Sequence, residues 1–187
     1  DRCTVSRKAG DGAGELREVY SAEQVRARVE ALIERLYRDY ADSPLTMVVI
    51  AEGARRFAHW LADGLRRRKV HLEITELRAW RTRGVNLEEV EIEAIDPSCF
   101  ENTDVLVVDD IADEGRTLQA VLSLIEEGEP RSMRVAVLVD KTARRKVVLP
   151  LDYVGFSVHD GWVVGVGMDL DGRYRELDAI AVVEGAE

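Results

Sequence analysis

The stretch Val105-Leu106-Val107-Val108-Asp109-Asp110 restricts the fold more than any other part of the chain. Four consecutive apolar residues, three of them β-branched, predict a strand covered on both faces. Two adjacent carboxylates end the run. A polar turn with Asp113 and Gly115 follows, and Leu118, Val121, Leu122 and Ile125 then recur at helical spacing. A buried strand that turns directly into an amphipathic helix belongs to a mainly parallel α/β sheet. In such sheets ligands bind outside the carboxyl ends of the strands, where Asp109 and Asp110 stand.

The rest of the chain has the same character. Ser21 and Gln24 form a capping-box pattern. Val25, Val29, Leu32, Ile33 and Leu36 then give the buried stripe of a helix. Met47 to Ile50 predicts a second buried strand and Ala54 to Arg67 a second helix, with Phe57, Trp60, Leu61 and Leu65 inward. Val70, Leu72 and Ile74 alternate with polar residues, as in a half-buried strand. From Arg78 to about Asn86 the pattern lapses and predicts a loop, with a short strand near Val90 and Ile92. Val135 to Val139 predicts another strand, and Tyr153 to Val183 alternates short strands with turns. Strands alternating with helices imply helices on the sheet's faces. Residues 1–18 lack periodicity and are expected to form a mobile tail, leaving a single domain over 19–187.

Composition narrows the function classes. The 187 residues are 46% hydrophobic and 33% charged, which is the balance of a globular chain. No apolar run has the length needed to span a bilayer. Cys3 and Cys99 are too few for a disulfide framework, and with the scattered His59, His71 and His159 they outline no zinc site. A cytoplasmic location without a membrane partner is therefore expected. The formal net charge of −10 disfavours tracking along a nucleic-acid backbone. It does not exclude a small anionic ligand, which local donors, a few basic side chains and magnesium can hold against the overall field.

The segment after the acids has the parts of an anion site. Backbone N–H groups at a helix start suit a phosphate. Gly115 lets the backbone approach closely, and the Thr117 hydroxyl adds a donor. Asp109 and Asp110 can accept from the two hydroxyls of a ribose, directly or through magnesium. Asp113 is placed to act on an incoming base. Solvated acids with Asp113 as a helix cap would be the bland alternative for these residues in isolation. A dinucleotide-binding turn fails because Gly165 and Gly167 are followed by Leu170 instead of a third glycine. A calcium loop fails because Arg173 occupies a ligand position after Asp169, Asp171 and Gly172.

The whole string, a hydrophobic strand, two acids, two residues, Asp113, one residue, Gly115, one residue and Thr117, resembles the phosphoribosyl pyrophosphate motif of type I phosphoribosyltransferases. Val139-Asp140-Lys141 and Trp162-Val163-Val164-Gly165-Val166-Gly167-Met168-Asp169 extend the resemblance to the hypoxanthine-guanine members over residues 19–184. The resemblance implies an α/β domain with a small hood. It implies transfer of a phosphoribosyl group from phosphoribosyl pyrophosphate to hypoxanthine or guanine in purine salvage, with Mg2+ as cofactor and a homo-oligomer, dimer or tetramer. Lys141 would donate to a purine 6-oxo group, Trp162 would stack on the base, and Val163 would offer backbone groups to its edge. Asp113 would be catalytic, and Asp109, Asp110 and Asp169 metal-linked. Arg175 would bind pyrophosphate. Glu52, Gly53, Glu114, Gly115, Arg116 and Thr117 complete the substrate-binding candidates.

The chain departs from the family pattern at three places. Ala51-Glu52-Gly53 stands for Leu-Lys-Gly, Ala79-Trp80 for Ser-Tyr, and Glu114 for the Thr or Ser before the glycine. These departures motivate a second reading, a non-catalytic nucleotide-binding or regulatory protein on the same fold. A third, an RNA-binding regulator like the pyrimidine-operon attenuators, rests on Arg66-Arg67-Arg68-Lys69 and Arg144-Arg145-Lys146.

Overall fold

The computed structural model describes residues 15–83 and 88–185. Its elements are β1 (Leu16–Tyr20), α1 (Ala22–Tyr40), β2 (Leu45–Val49), α2 (Ala54–Arg67), β3 (Leu72–Glu76), β4 (Ala79–Arg83), β5 (Glu88–Ile92), a 3-10 turn (Pro97–Phe100), β6 (Asp104–Ala112), α3 (Arg116–Glu127), β7 (Ser132–Lys141), β8 (Tyr153–Val158), β9 (Trp162–Val164) and β10 (Ile180–Val183). Five strands form a parallel sheet in the order β3-β2-β6-β7-β8. A three-stranded antiparallel hood runs β1-β10-β9, and β4 pairs with β5 as a separate hairpin.

The central strands divide their side chains between two cores, as a period of two requires. Met47 and Val49 of β2 and Leu106 and Val108 of β6 face α1 and α2. Val48, Val105 and Val107 face α3. The α1 stripe of Val25, Val29, Leu32, Ile33 and Leu36 is buried as its spacing predicts. Each such side chain contributes about 1.5–3 kcal/mol relative to exposure. The capping box at Ser21 and Gln24 is formed in both directions. Trp60 is only half-buried, with the Arg56 guanidinium over its ring.

Two expectations need correction. The stretch from Arg78 is not a loop, because Ala79–Arg83 pairs in antiparallel register with Glu88–Ile92. Ala79 and Ile92 anchor that hairpin on the α3-side core, a contact that no local alternation signals. The tail boundary also moves. Residues 16–18 belong to the hood, where Leu16 pairs with Val183 and Glu18 with Ala181. Residues 1–14 lie outside the described part. Among the described residues no helix is long and apolar enough to cross a membrane.

Candidate active site

The candidate site residues line two adjoining clefts at the carboxyl end of the parallel sheet, between it and the hood. β6 delivers Asp109 and Asp110. Asp109 is 8% exposed, and its Oδ1 accepts from the Asp110 N–H at 2.9 Å. Asp110 Oδ1 accepts from the Ile111 N–H at 2.8 Å. Burial, reinforced by the neighbouring Asp110 charge, pushes the Asp109 carboxyl well above the usual carboxylate range. Burial raises Asp110 as well, against local hydrogen bonds that favour its ionised form. Two carboxylates held this way are stabilised by any cation or hydroxyl pair brought to them. Gly53, at the head of α2, packs directly on Asp110, and a Cβ there would overlap the Oδ2 atom.

The turn after β6 builds the candidate anion site. Gly115 caps α3 with φ +90°, a left-handed conformation that glycine adopts without strain. It supplies no side-chain cap to the first turn of α3, which leaves those N–H groups free of a competing side-chain acceptor. A Cβ at Gly115 would also lie 2.8 Å from Val147 Cγ2 and 2.9 Å from Leu149 Cδ1. A cleft of about 270 Å³ opens here, lined by Asp109, Asp110, Gly115, Arg116 and Thr117, with Arg81 of β4 at its side.

A second cleft, also about 270 Å³, lies against the hood and shares Asp110, Ile111 and Asp113 with the first. Lys141, Trp162, Val163, Asp169, Arg175, Glu52 and Gly53 line it. Lys141 is buried at the end of β7. Its ammonium lies 3.3 Å from Asp113 Oδ2 and 3.6 Å from Asp160 Oδ1. The other Asp113 oxygen, Oδ1, is buried and accepts no hydrogen bond from the protein. Trp162 remains 39% exposed at the wall, its Nε1 donating to the Asp169 carbonyl at 2.9 Å. Asp169 Oδ2 accepts from the Gly172 N–H at 2.6 Å, and its Oδ1 accepts from Arg175 at 3.2 Å. Asp109, Asp110 and Asp169 do not converge as one three-carboxylate centre. Among the described residues no group of three or more His, Cys, Asp or Glu is disposed to hold a metal.

The structure resolves what the two unexpected acids do. Glu52 accepts from Arg175 at 3.2 Å instead of pairing with Arg55, which makes a two-pronged bond to Glu76. Glu114 is buried and ion-paired to Arg81 at 2.9 Å, Lys146 at 2.9 Å and Arg144 at 3.4 Å, and not to Arg116. The Lys146 hydrogen bond, with the charges of Lys146, Arg81 and Arg144, holds the Glu114 carboxyl below its usual range. Arg81, Arg144 and Asp160 are among the site residues that sequence reasoning missed. Glu114 itself was the available signal for Arg81, since a buried acid needs a counter-ion. The basic strings are likewise engaged within the fold. Arg68 bonds Glu30, and Arg145 bonds Asp140 and donates to the carbonyls of Ala112 and Asp113. That use of charge weakens the support for an RNA-binding reading at Arg68 and Arg145.

A family model for the phosphoribosyl transferase domain matches residues 15–171. The hypoxanthine-guanine phosphoribosyltransferase of Bacillus subtilis is 31% identical over 168 residues, covering 89% of this chain and 92% of that protein. The chain belongs to the hypoxanthine-guanine phosphoribosyltransferase family. The hypoxanthine phosphoribosyltransferase of Escherichia coli is 33% identical over 162 residues, covering 86% of this chain and 90% of that protein. A hypoxanthine phosphoribosyltransferase crystal structure from Staphylococcus aureus superposes with a TM-score of 0.81 at 30% identity, covering 89% of this chain and 90% of that one. The chain is also 32% identical over 166 residues to the bifunctional protein TilS/HprT of Listeria innocua, of which it spans 25%. The departures from the family pattern lie on this fold without disturbing it: Ala79-Trp80 opens the β4 strand, with Trp80 exposed, and Glu52 and Glu114 are both paired.

Proposed function

We propose that this chain transfers the phosphoribosyl group of phosphoribosyl pyrophosphate to a 6-oxopurine, hypoxanthine or guanine, releasing pyrophosphate in purine salvage. The observation that carries the reading is the Asp113 carboxylate. It lines the cleft that Trp162 and Val163 wall, with Oδ2 held by the buried Lys141 and Oδ1 buried without a protein donor. An acceptor in that position suits an N–H at the purine N7, and the neighbouring ammonium suits the 6-oxo oxygen.

In the reaction a purine nitrogen forms the new bond to the ribose C1 as the C1–O bond to pyrophosphate breaks. The bonding pair leaves with pyrophosphate, and Asp113 takes or shares the proton released from the base. The N–H groups at the start of α3, with Thr117, hold the 5′-phosphate. Asp109 and Asp110 receive the ribose hydroxyls, and Arg175 meets the pyrophosphate. The transition state has oxocarbenium character, so fixed placement of these groups supplies much of the rate. Magnesium fits the site's hard oxygen donors. Such sites bind the ion through one or two carboxylates together with substrate phosphates, and either the Asp109–Asp110 pair or Asp169 would hold it. When bound it neutralises charge developing on the pyrophosphate.

The deciding assay supplies purified protein, phosphoribosyl pyrophosphate and magnesium with a panel of bases. Inosine or guanosine monophosphate is expected from hypoxanthine or guanine. Product from adenine, uracil or orotate alone overturns the assignment. Trp162 gives a second check. Loss of one base–aromatic stack costs roughly 1–3 kcal/mol in nucleic-acid-binding proteins. Trp162→Ala is therefore expected to weaken nucleotide binding by about 10-fold with the fold retained. Nucleotide should quench the fluorescence of a variant retaining only Trp162. A ring that reports nothing at saturating nucleotide is packing and not part of the site.

A further inference from the structure

Glu114 stands in the turn whose N–H groups face the phosphate cleft, so an acid there invites repulsion of the ligand. Its surroundings reverse that expectation. The two carboxylate oxygens have separate tasks. Oε1 accepts from Lys146 Nζ at 2.9 Å and from Arg144 at 3.4 Å, both on the turn after β7. Oε2 accepts from Arg81 Nη1 at 2.9 Å, from β4 of the hairpin. The backbone repeats the first attachment, with the Lys146 N–H donating to the Glu114 carbonyl at 3.0 Å. Glu114 is thus fixed from one side and offers its remaining oxygen to Arg81.

Arg81 lines the same cleft as Gly115, Arg116 and Thr117. Its side chain is 47% exposed while that of Glu114 is 9% exposed. Arg81 is thus bonded to a buried anchor while its side chain lies at the wall of the cleft. A free arginine samples many rotamers, and an arginine tethered by a charged hydrogen bond pays that ordering cost before a ligand arrives. The cations around Glu114 offset the acids Asp109, Asp110 and Asp113 that line the same cleft. Among the described residues one glutamate gathers three cations, within a chain whose net charge is −10.

We propose that Glu114 is a positioning residue that holds the Arg81 guanidinium at the phosphate cleft, making Arg81 the side-chain cation that receives the 5′-phosphate of the phosphoribosyl group. The inference rests on the proposed function and deepens it. It assigns a use to the acid that replaces the family's Thr or Ser, and it names the hairpin as a contributor to phosphate binding.

The test is calorimetric titration of wild type, Arg81→Gln, Glu114→Gln and the double variant with three ligands. These are phosphoribosyl pyrophosphate with magnesium, inosine 5′-monophosphate, and inosine, which lacks the phosphate. Each single variant is expected to weaken both phosphorylated ligands by about 10-fold or more, the scale of one charge-assisted hydrogen bond. Inosine should bind the variants as it binds wild type. The double variant should be no weaker than Arg81→Gln, because Glu114 acts through Arg81. Arg81 is half exposed, so Arg81→Gln keeps the test decisive even where Glu114→Gln fails to fold. Unchanged affinity of Arg81→Gln for inosine monophosphate overturns the inference, as do equal losses for inosine or additive losses in the double variant. Wild-type protein that binds no phosphorylated ligand sinks the proposed function and this inference together. Wild type that binds, beside an Arg81→Gln variant that binds equally well, sinks the inference alone.

Discussion

Asp113→Asn is expected to lower turnover by about 100-fold or more, the scale of general acid–base assistance, while nucleotide affinity changes far less. Asparagine preserves the shape of the side chain and can still face Lys141, which keeps Asp160 at 3.6 Å as a second counter-ion. The fold should therefore survive. What disappears is a basic oxygen. The Asp113 carboxylate lines the cleft with 31% of its side chain exposed, so in the wild type it can accept from an N–H of the incoming base. An amide in its place either presents N–H to N–H or accepts weakly through a neutral carbonyl. The product nucleotide carries no proton at that purine nitrogen, so its affinity is a poor reporter of proton transfer and turnover is a good one. Steady-state rates with hypoxanthine, together with inosine monophosphate titrations, separate the two. Unaltered turnover would reduce Asp113 to a tether for Lys141 and remove the observation on which the proposed function stands.

Legibility in the sequence followed the range of the forces involved. α2 matched its predicted bounds because its apolar stripe and the glycine before it are local signals. The Val105–Val108 part of β6 is visible as an unbroken apolar run, since both of its faces are covered. The hairpin strand β4 was not. Ala79-Trp80-Arg81-Thr82-Arg83 has no alternation, and pairing with β5 and the anchoring of Ala79 decide its conformation. β1 was lost to the tail because its partner, β10, lies at the far end of the chain. The same division holds within the site. Strand, acids, turn and helix start sit side by side in sequence and announce an anion site. The partners of the two misplaced acids do not. Glu52 meets Arg175 across 123 positions, and Glu114 meets Arg81 across 33. One-dimensional reading sees the repulsive charge and not the counter-ion that tertiary folding supplies.

Gly53→Ala should separate the position of Asp110 from its charge. Gly53 has φ −60° and ψ −31°, ordinary helical values, so alanine meets no backbone strain and suits the start of α2. The obstacle is the new Cβ, which would overlap Asp110 Oδ2. That oxygen is the end of a rotatable side chain, and the cheapest relief is for the carboxylate to swing away while the strand stays in place. Stability should then remain within about 1 kcal/mol of wild type, the ordinary scale of a glycine-to-alanine change. Turnover should not. A displacement near 1 Å in an oriented site can cost about 100-fold, and Asp110 lines both clefts where they meet. Asp110→Asn is the companion variant, removing charge with little change of place. If Gly53→Ala loses about as much turnover as Asp110→Asn and melts like wild type, the location of that carboxylate matters to the chemistry. A Gly53→Ala enzyme with wild-type rates contradicts a ribose-binding role for Asp110, since a group that can be pushed aside without consequence is not holding the substrate. A large drop in melting temperature would mean instead that the backbone of α2 had moved, and the loss of rate would then belong to the whole loop from Ala51 to Gly53.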